Sequence, residues 1–155
     1  MGAALANWGI RGLHVLSATV LVSGALVITA LLASDDRENS TIALRAAAAY
    51  EVASWIALGA LVMTGVGNLA MIGAGLDWSH WWGSAWGVLF RVKLAAIVLL
   101  LVVSALRTTA IGILLSESAV VLSGRRRPTL KALYWVTLLL ALAIAIAGVT
   151  LAHRS

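Results

Sequence analysis

The most constraining feature of this chain is a set of long apolar runs that contain no Asp, Glu, Lys or Arg. Such runs cover residues 12–33, 52–76 and 132–152, and the shortest of them has 21 residues. An α-helix needs roughly 20 residues to cross about 30 Å of hydrocarbon. A fourth run, 87–106, carries two basic residues near its start. The chain is therefore predicted to be an integral membrane protein.

The composition excludes several other classes of protein. Of the 155 residues, 62% are hydrophobic and 11% are charged, whereas a soluble domain is about 45–50% apolar and about 25% charged. Such hydrophobicity also excludes intrinsic disorder. Because the chain has no cysteine, it has no disulfide, iron–sulfur cluster or thiolate metal site. The net charge is +5, and the basic residues lie beside the apolar runs. We therefore expect anionic lipid headgroups, and no nucleic acid, as their partner.

The predicted fold class is all-α, an integral membrane four-helix bundle that forms a single domain over residues 1–155. Helices are expected because the backbone must be hydrogen-bonded internally in a bilayer and the runs show no strand-like alternation. The stretch 108–122 is interpreted as an extension of the third helix or as a separate interfacial helix. The four predicted spans are approximately 10–33, 50–74, 86–107 and 131–153.

An even number of spans places both termini on one side of the membrane, here called face A, together with the connection 73–86. The opposite side is face B. The basic residues that map to face B are Arg37, Arg45, Arg107, Arg125, Arg126, Arg127 and Lys131, whereas face A has only Arg11 and Arg154 outside the spans. The positive-inside rule then predicts a cytoplasmic (inner) membrane protein with face B in the cytoplasm and both termini outside.

The residues with the most chemical potential converge on face A. His14 lies within the first span, His80 lies in the 73–86 connection, and His153 follows the fourth span. Arg91 and Lys93 begin the third span. An ionisable residue within an apolar span is costly, so His14 is the first candidate for contact with a metal or cofactor. The alternative is a neutral imidazole that is hydrogen-bonded to a neighbouring helix.

The other members of this group have simpler interpretations. The tryptophans around face A are typical of an interfacial belt, and His80 and His153 are compatible with exposed positions. Arg91 and Lys93 are two positions apart and point about 200° apart on a helix. We therefore expect at least one of them to face the bundle interior, where Asp77, Glu51, a helix C-terminus or a bound anion could be its partner. The alternative is that both side chains reach the headgroups at face A.

Three segments resemble the copper-resistance protein D (CopD) family. Residues 13–32, LHVLSATVLVSGALVITALL, are similar to its opening helix with a histidine. Residues 61–73, LVMTGVGNLAMIG, and 82–107, WGSAWGVLFRVKLAAIVLLLVVSALR, resemble its threonine–glycine helix and its lysine-containing helix that ends in a basic residue. The resemblance implies a four-helix core and copper binding or passage across the cytoplasmic membrane, with a periplasmic copper or electron carrier as a possible partner.

The chain also resembles the HemJ-type protoporphyrinogen oxidases, which bind b-type haem. In that comparison His14 matches the first-helix histidine, and Lys93 matches the third-helix lysine. The tryptophan and arginine further along the first helix of those oxidases are replaced here by Val22-Ser23-Gly24 and Thr29-Ala30-Leu31. The resemblance implies a b-type haem-binding membrane protein, with electron transfer or a HemJ-like reaction as its role.

Copper and haem make different demands on face A. Without cysteine, copper would need imidazole and thioether ligands, and His14 and Met71 with His80 or His153 supply such a set. The basic residues Arg91 and Lys93, however, oppose a bare cation. The same basic residues favour haem, because its propionates are anionic and match Arg or Lys. His14 would then serve as one axial ligand, with His153 or His80 as the second.

A third hypothesis is a structural subunit of a larger membrane complex, with the basic segment 125–128 binding lipid or a partner. Nucleophilic catalysis is not expected, since Ser17 and Ser23 have no His–Asp partner in any plausible register. A proton-coupled pump is not expected either, because no Asp or Glu falls near the middle of a predicted span.

Overall fold

A computed structural model of the protein describes residues 2–33, 37–71, 82–116 and 126–152. These residues form four long helices: α1 (Gly2–Leu31), α2 (Arg37–Met71), α3 (Ala85–Ser116) and α4 (Arg126–Ala152). The predicted all-helical class is confirmed.

Each helix contains a segment that is long and apolar enough to cross a membrane. These segments are Trp8–Leu31, Ile42–Val66, Ala85–Ser116 and Pro128–Thr150. Large apolar side chains such as Ile56 and Met63 are exposed on the outside of the bundle, where lipid tails are their natural solvent. The chain is therefore a multi-pass membrane protein.

The first two helices run antiparallel. His14 of α1 bonds to Thr64 near the end of α2, whereas Leu21, later in α1, bonds to Tyr50 near the middle of α2. Residue numbers therefore rise along one helix as they fall along the other.

The same reversal relates α3 to α4. Lys93 lies beside Gly148, whereas Arg107 bonds to Thr137. The helices thus alternate in direction, and face A is the end of the bundle at which α1 and α3 begin and α2 and α4 end.

The start of α3 is capped by a side chain. The hydroxyl oxygen of Ser84 accepts a hydrogen bond of 3.0 Å from the backbone N–H of Gly87, which satisfies one of the free donors of the first turn. The helix then continues without interruption to Ser116. Residues 108–116 are therefore an extension of the third helix, which was one of the two interpretations of the stretch 108–122. Residues 117–125 lie outside the described chain.

Two apolar layers fill the bundle interior. The layer nearer face A, the face A layer, contains Leu21, Ala57, Leu58 and Leu100. The layer nearer face B, the face B layer, contains Ala25, Ile28, Leu32, Ala43, Leu44, Ala47, Ile111, Leu114 and Leu130.

Charged residues lie between these layers, contrary to the expectation from the sequence. The membrane-spanning part of α2 begins at Ile42, whereas the charge-free run begins at residue 52, so Glu51 lies near the middle of this 25-residue span. Arg107, which was assigned to face B, is fully buried within α3. The expectation of no acidic residue near a span centre was wrong because these opposite charges neutralise each other across two helices.

Candidate functional site

His14 is held at the interface between α1 and α2. Its side chain is half-buried, and its Nδ1 lies 2.8 Å from the hydroxyl oxygen of Thr64. On the same side of α2, a Cβ built at Gly65 would lie 4.0 Å from the His14 ring, which is an ordinary van der Waals contact. The imidazole is therefore positioned by a helix 50 residues away in sequence.

The hydrogen bonds of Thr64 indicate which nitrogen of His14 carries the proton. The Thr64 hydroxyl donates to the carbonyl oxygen of Ala60 at 2.6 Å. A hydroxyl has one proton, so toward His14 it acts as an acceptor, and Nδ1–H is the donor. Nε2 then carries a free lone pair, and no hydrogen bond to Nε2 is present in the described part of the chain. This is how a metal-binding histidine is usually oriented.

The two basic residues at the start of α3 take different directions. The guanidinium carbon of Arg91 lies 4.6 Å from the centre of the Trp82 ring, an arrangement that suits a cation at a membrane interface. The ammonium group of Lys93 lies 3.4 Å from where a Cβ would stand at Gly148 of α4. Lys93 is also close enough to His14 to interact with it electrostatically.

The remaining predicted ligands lie outside what the structure describes. His80 and His153 are outside the described residues, and so is the side chain of Met71, the last residue of α2. Among the described residues no group of three or more His, Cys, Asp or Glu side chains could hold a metal ion. Trp8 and Trp82 are 77% and 63% exposed, which is compatible with an interfacial belt, whereas Trp86 is half-buried and stacks on Phe90.

A second polar site, the Glu51–Arg107 centre, lies between the two apolar layers and was missed by the sequence analysis. Arg107 Nε donates to Glu51 Oε1 at 2.5 Å, and Arg107 Nη2 donates to Glu51 Oε2 at 3.3 Å. The Arg107 side chain is 0% exposed and that of Glu51 is 6% exposed. Glu51 is thus paired with Arg107 of the same centre rather than with Arg91 or Lys93.

Two hydroxyl groups complete the environment of the Glu51 carboxylate. Tyr134 of α4 donates to Oε1 at 3.0 Å, and Thr108 of α3 donates to Oε2 at 2.7 Å. Thr108 in turn accepts from the indole N–H of Trp55 at 2.9 Å. Each carboxylate oxygen therefore accepts two hydrogen bonds, as a buried carboxylate requires.

The Arg107 guanidinium is enclosed by hydroxyl groups and aromatic rings. It donates to Ser54 at 3.2 Å and to Thr137 at 2.9 Å. Its central carbon lies 5.1 Å from the ring centre of Tyr50 and 4.7 Å from that of Tyr134. Such cation–π contacts gain strength when the cation is desolvated, so the charge of Arg107 is compensated from α2 and α4.

Tyr50 connects this centre to α1. Its hydroxyl donates to the backbone carbonyl of Leu21 at 2.7 Å. Its ring packs against Gly24, where an added Cβ would overlap the ring. The glycine is needed for this close approach, and all four helices therefore take part in the centre.

Ser104, one turn before Arg107, is an exception to the satisfied polar groups. Its hydroxyl is fully buried and makes no hydrogen bond within the part of the chain that the structure describes. It is thus the natural position for a control substitution.

The sequence does contain a signal for the missed centre. Both Glu51 and Arg107 stand at the edge of a charge-free run, and a stretch without charge continues on the far side of each, over 46–50 and 108–116. Ionisable residues within membrane spans pair with one another in the bundle interior, and these two offer opposite charges.

The two sites differ in what they can bind. His14 offers a nitrogen lone pair, whereas the Glu51 carboxylate is already saturated with hydrogen bonds. Comparison of the chain with protein-family models, curated proteins and solved structures found no match.

Proposed function

We propose that this chain is a membrane protein that binds and handles copper at His14, near face A. The observation that supports the proposal most strongly is the hydrogen bond between His14 Nδ1 and Thr64, which leaves Nε2 with a free lone pair. The sequence resemblance to the CopD family points to the same residue and the same metal.

Copper in this proposal is the cargo of the protein. Imidazole and thioether groups are acceptable ligands of Cu(I), so Met71, His80 and His153 are proposed as the ligands that complete the site. A ring orientation fixed by a hydrogen bond, as at His14, increases the basicity of the ligand nitrogen. The copper or electron carrier expected as a partner would approach from face A, which the charge distribution assigns to the outside of the cytoplasmic membrane.

The position of Lys93 favours a second candidate, b-type haem. Its charge acts on His14, which disfavours a bare cation but suits an anionic group. In this alternative His14 would hold the haem iron, and Lys93, with Arg91, would neutralise the propionates. Haem would supply one-electron chemistry, while the chain would bind it, orient it and exclude water.

The experiment is metal analysis combined with an absorption spectrum of the purified protein in detergent, for the wild type and His14→Ala. Copper that co-purifies with the wild type and is lost in His14→Ala supports the first candidate. A Soret band that is lost in the same variant supports haem.

The matched control is Ser23→Ala, also on α1, whose exposed hydroxyl bonds only to the carbonyl of Thr19. This variant should retain the wild-type copper content or Soret band. If the wild type contains neither metal after growth with copper and haem supplied, the proposal is wrong, and the role of a structural subunit in a larger membrane complex takes its place.

A further inference from the structure

We propose that the Glu51–Arg107 centre closes the bundle to metal ions, so that a metal bound at His14 enters and leaves through face A only. This inference deepens the proposed function. The closure of the bundle is independent of that function, whereas the route of a metal at His14 rests on it.

The centre extends across the whole bundle. Glu51 of α2 is bonded to Arg107 of α3 and to Tyr134 of α4, and Tyr50 carries the network to the Leu21 carbonyl of α1. Arg107 has no exposed surface. An ion moving along the inside of the bundle would have to pass this layer.

The carboxylate of the centre is not available as a metal ligand. A metal ion that has lost water needs oxygen, nitrogen or sulfur atoms with free lone pairs. Both oxygens of Glu51 are occupied, by Arg107, Thr108 and Tyr134. The guanidinium of Arg107 has donors only and repels a cation.

Apolar side chains pack on either side of the centre. Between His14 and the centre lies the face A layer, with Leu21, Leu58 and Leu100, which are at most 4% exposed. At about 1.5 Å per residue, Thr64 is about 20 Å from Glu51 along α2. The metal site and the centre are therefore separate, and the apolar layer between them provides no ligands.

The consequence concerns the partner. A protein that holds a metal at face A and is closed at its middle exchanges that metal with a carrier on the same side. Movement of the metal across the membrane would then need another protein or a route outside this bundle.

Two measurements test the closure. In the first, Ser104→Cys is made in the natural cysteine-free chain and treated in vesicles with a small cationic methanethiosulfonate added to both sides. Ser104 is suitable because its hydroxyl is buried and the change breaks no hydrogen bond. Ser79→Cys serves as the reactive reference at face A. We expect reaction at position 79 and none at 104, and labelling at 104 in the folded protein would overturn the closure.

In the second measurement, purified protein is reconstituted into phosphatidylcholine vesicles that enclose a Cu(I) chelator, and Cu(I) is added outside with ascorbate. The wild type should admit copper no faster than protein-free vesicles, while equilibrium dialysis shows binding that is lost in His14→Ala. Copper entry that depends on His14 would overturn the inference. An absence of copper binding, with Ser104→Cys still protected, would reject copper as the cargo and leave the closure intact.

Discussion

At the scale of single residues, Thr64 determines what His14 can do. Its hydroxyl donates to the Ala60 carbonyl and so accepts from His14 Nδ1. Without that acceptor the imidazole ring would be free to rotate or to exchange its tautomer. A hydroxyl that touches no ligand itself thus positions the nitrogen that we propose binds the metal.

Substitution of this hydroxyl is expected to weaken metal binding without unfolding the protein. In Thr64→Val the volume is retained and the acceptor is lost, so the affinity of the His14 site should fall about 10–100-fold. Thr64→Ser should restore it, because the hydroxyl returns. Competition titration with a chromophoric Cu(I) chelator measures the effect, and equal affinities for the three proteins would contradict it.

Gly24 is important because it has no Cβ atom. An added Cβ would overlap the Tyr50 ring, so Gly24→Ala should lower the free energy of unfolding by about 1–3 kcal/mol. Gly59→Ala is the matched control, since nothing lies within 4 Å of a Cβ there. Thermal melts in detergent, followed by tryptophan fluorescence, compare the two, and equal losses of stability would show that the contact is unimportant.

At the scale of helices, α2 and α3 each carry a charge that neither could hold alone in the membrane. Apolar packing gives little net drive for helix association in lipid, because lipid tails are as apolar as the side chains. The bonds between Glu51, Arg107 and Tyr134 join three helices. We therefore expect them to fix the order and register of the bundle.

Removing one partner of this pair is expected to be more harmful than removing both. Arg107→Leu leaves a buried carboxylate without its counter-ion and should destabilise the bundle by about 3–5 kcal/mol. Adding Glu51→Leu should recover a large part of this loss. Unfolding by dodecyl sulfate, followed by circular dichroism, measures both, with Ser104→Ala as a control that breaks no hydrogen bond. A double variant less stable than the single one would contradict the argument.

The helices themselves could be predicted from hydropathy, and the interactions between them could not. The charge-free runs 12–33 and 132–152 overlap most of α1 and α4. The start of the α2 span was missed at Ile42, since a window along one helix cannot show that Glu51 is neutralised by Arg107 of another. His14 could be identified because an ionisable residue in an apolar run is visible in the local sequence. Its partner Thr64 could not be identified, because their hydrogen bond joins residues 50 positions apart.

At the scale of the whole molecule, the alternating helices place the start of α1 and the end of α4 at one end of the bundle. The basic residues assigned to face B from the sequence, such as Arg45 and Lys131, predict that this other end is cytoplasmic. Arg107 no longer contributes to that argument, because it is buried.

The orientation can be measured by labelling single cysteines in intact cells. Because the chain has no cysteine, Ser79→Cys and Ser123→Cys report on opposite faces without background. An impermeant maleimide should label the first and not the second until the membrane is opened. The reverse pattern would move the His14 site to the cytoplasmic side.

The whole molecule is thus interpreted as a bundle with a metal-binding imidazole near one end and a closed polar centre in the middle. The most direct test of the first part is X-ray absorption at the edge of the metal that co-purifies, copper or iron. An imidazole scattering pattern is expected at the metal of the wild type, whereas His14→Ala, which loses the metal, should show no edge above background. Identical spectra for the two proteins would show that the metal is bound elsewhere and would contradict the central claim.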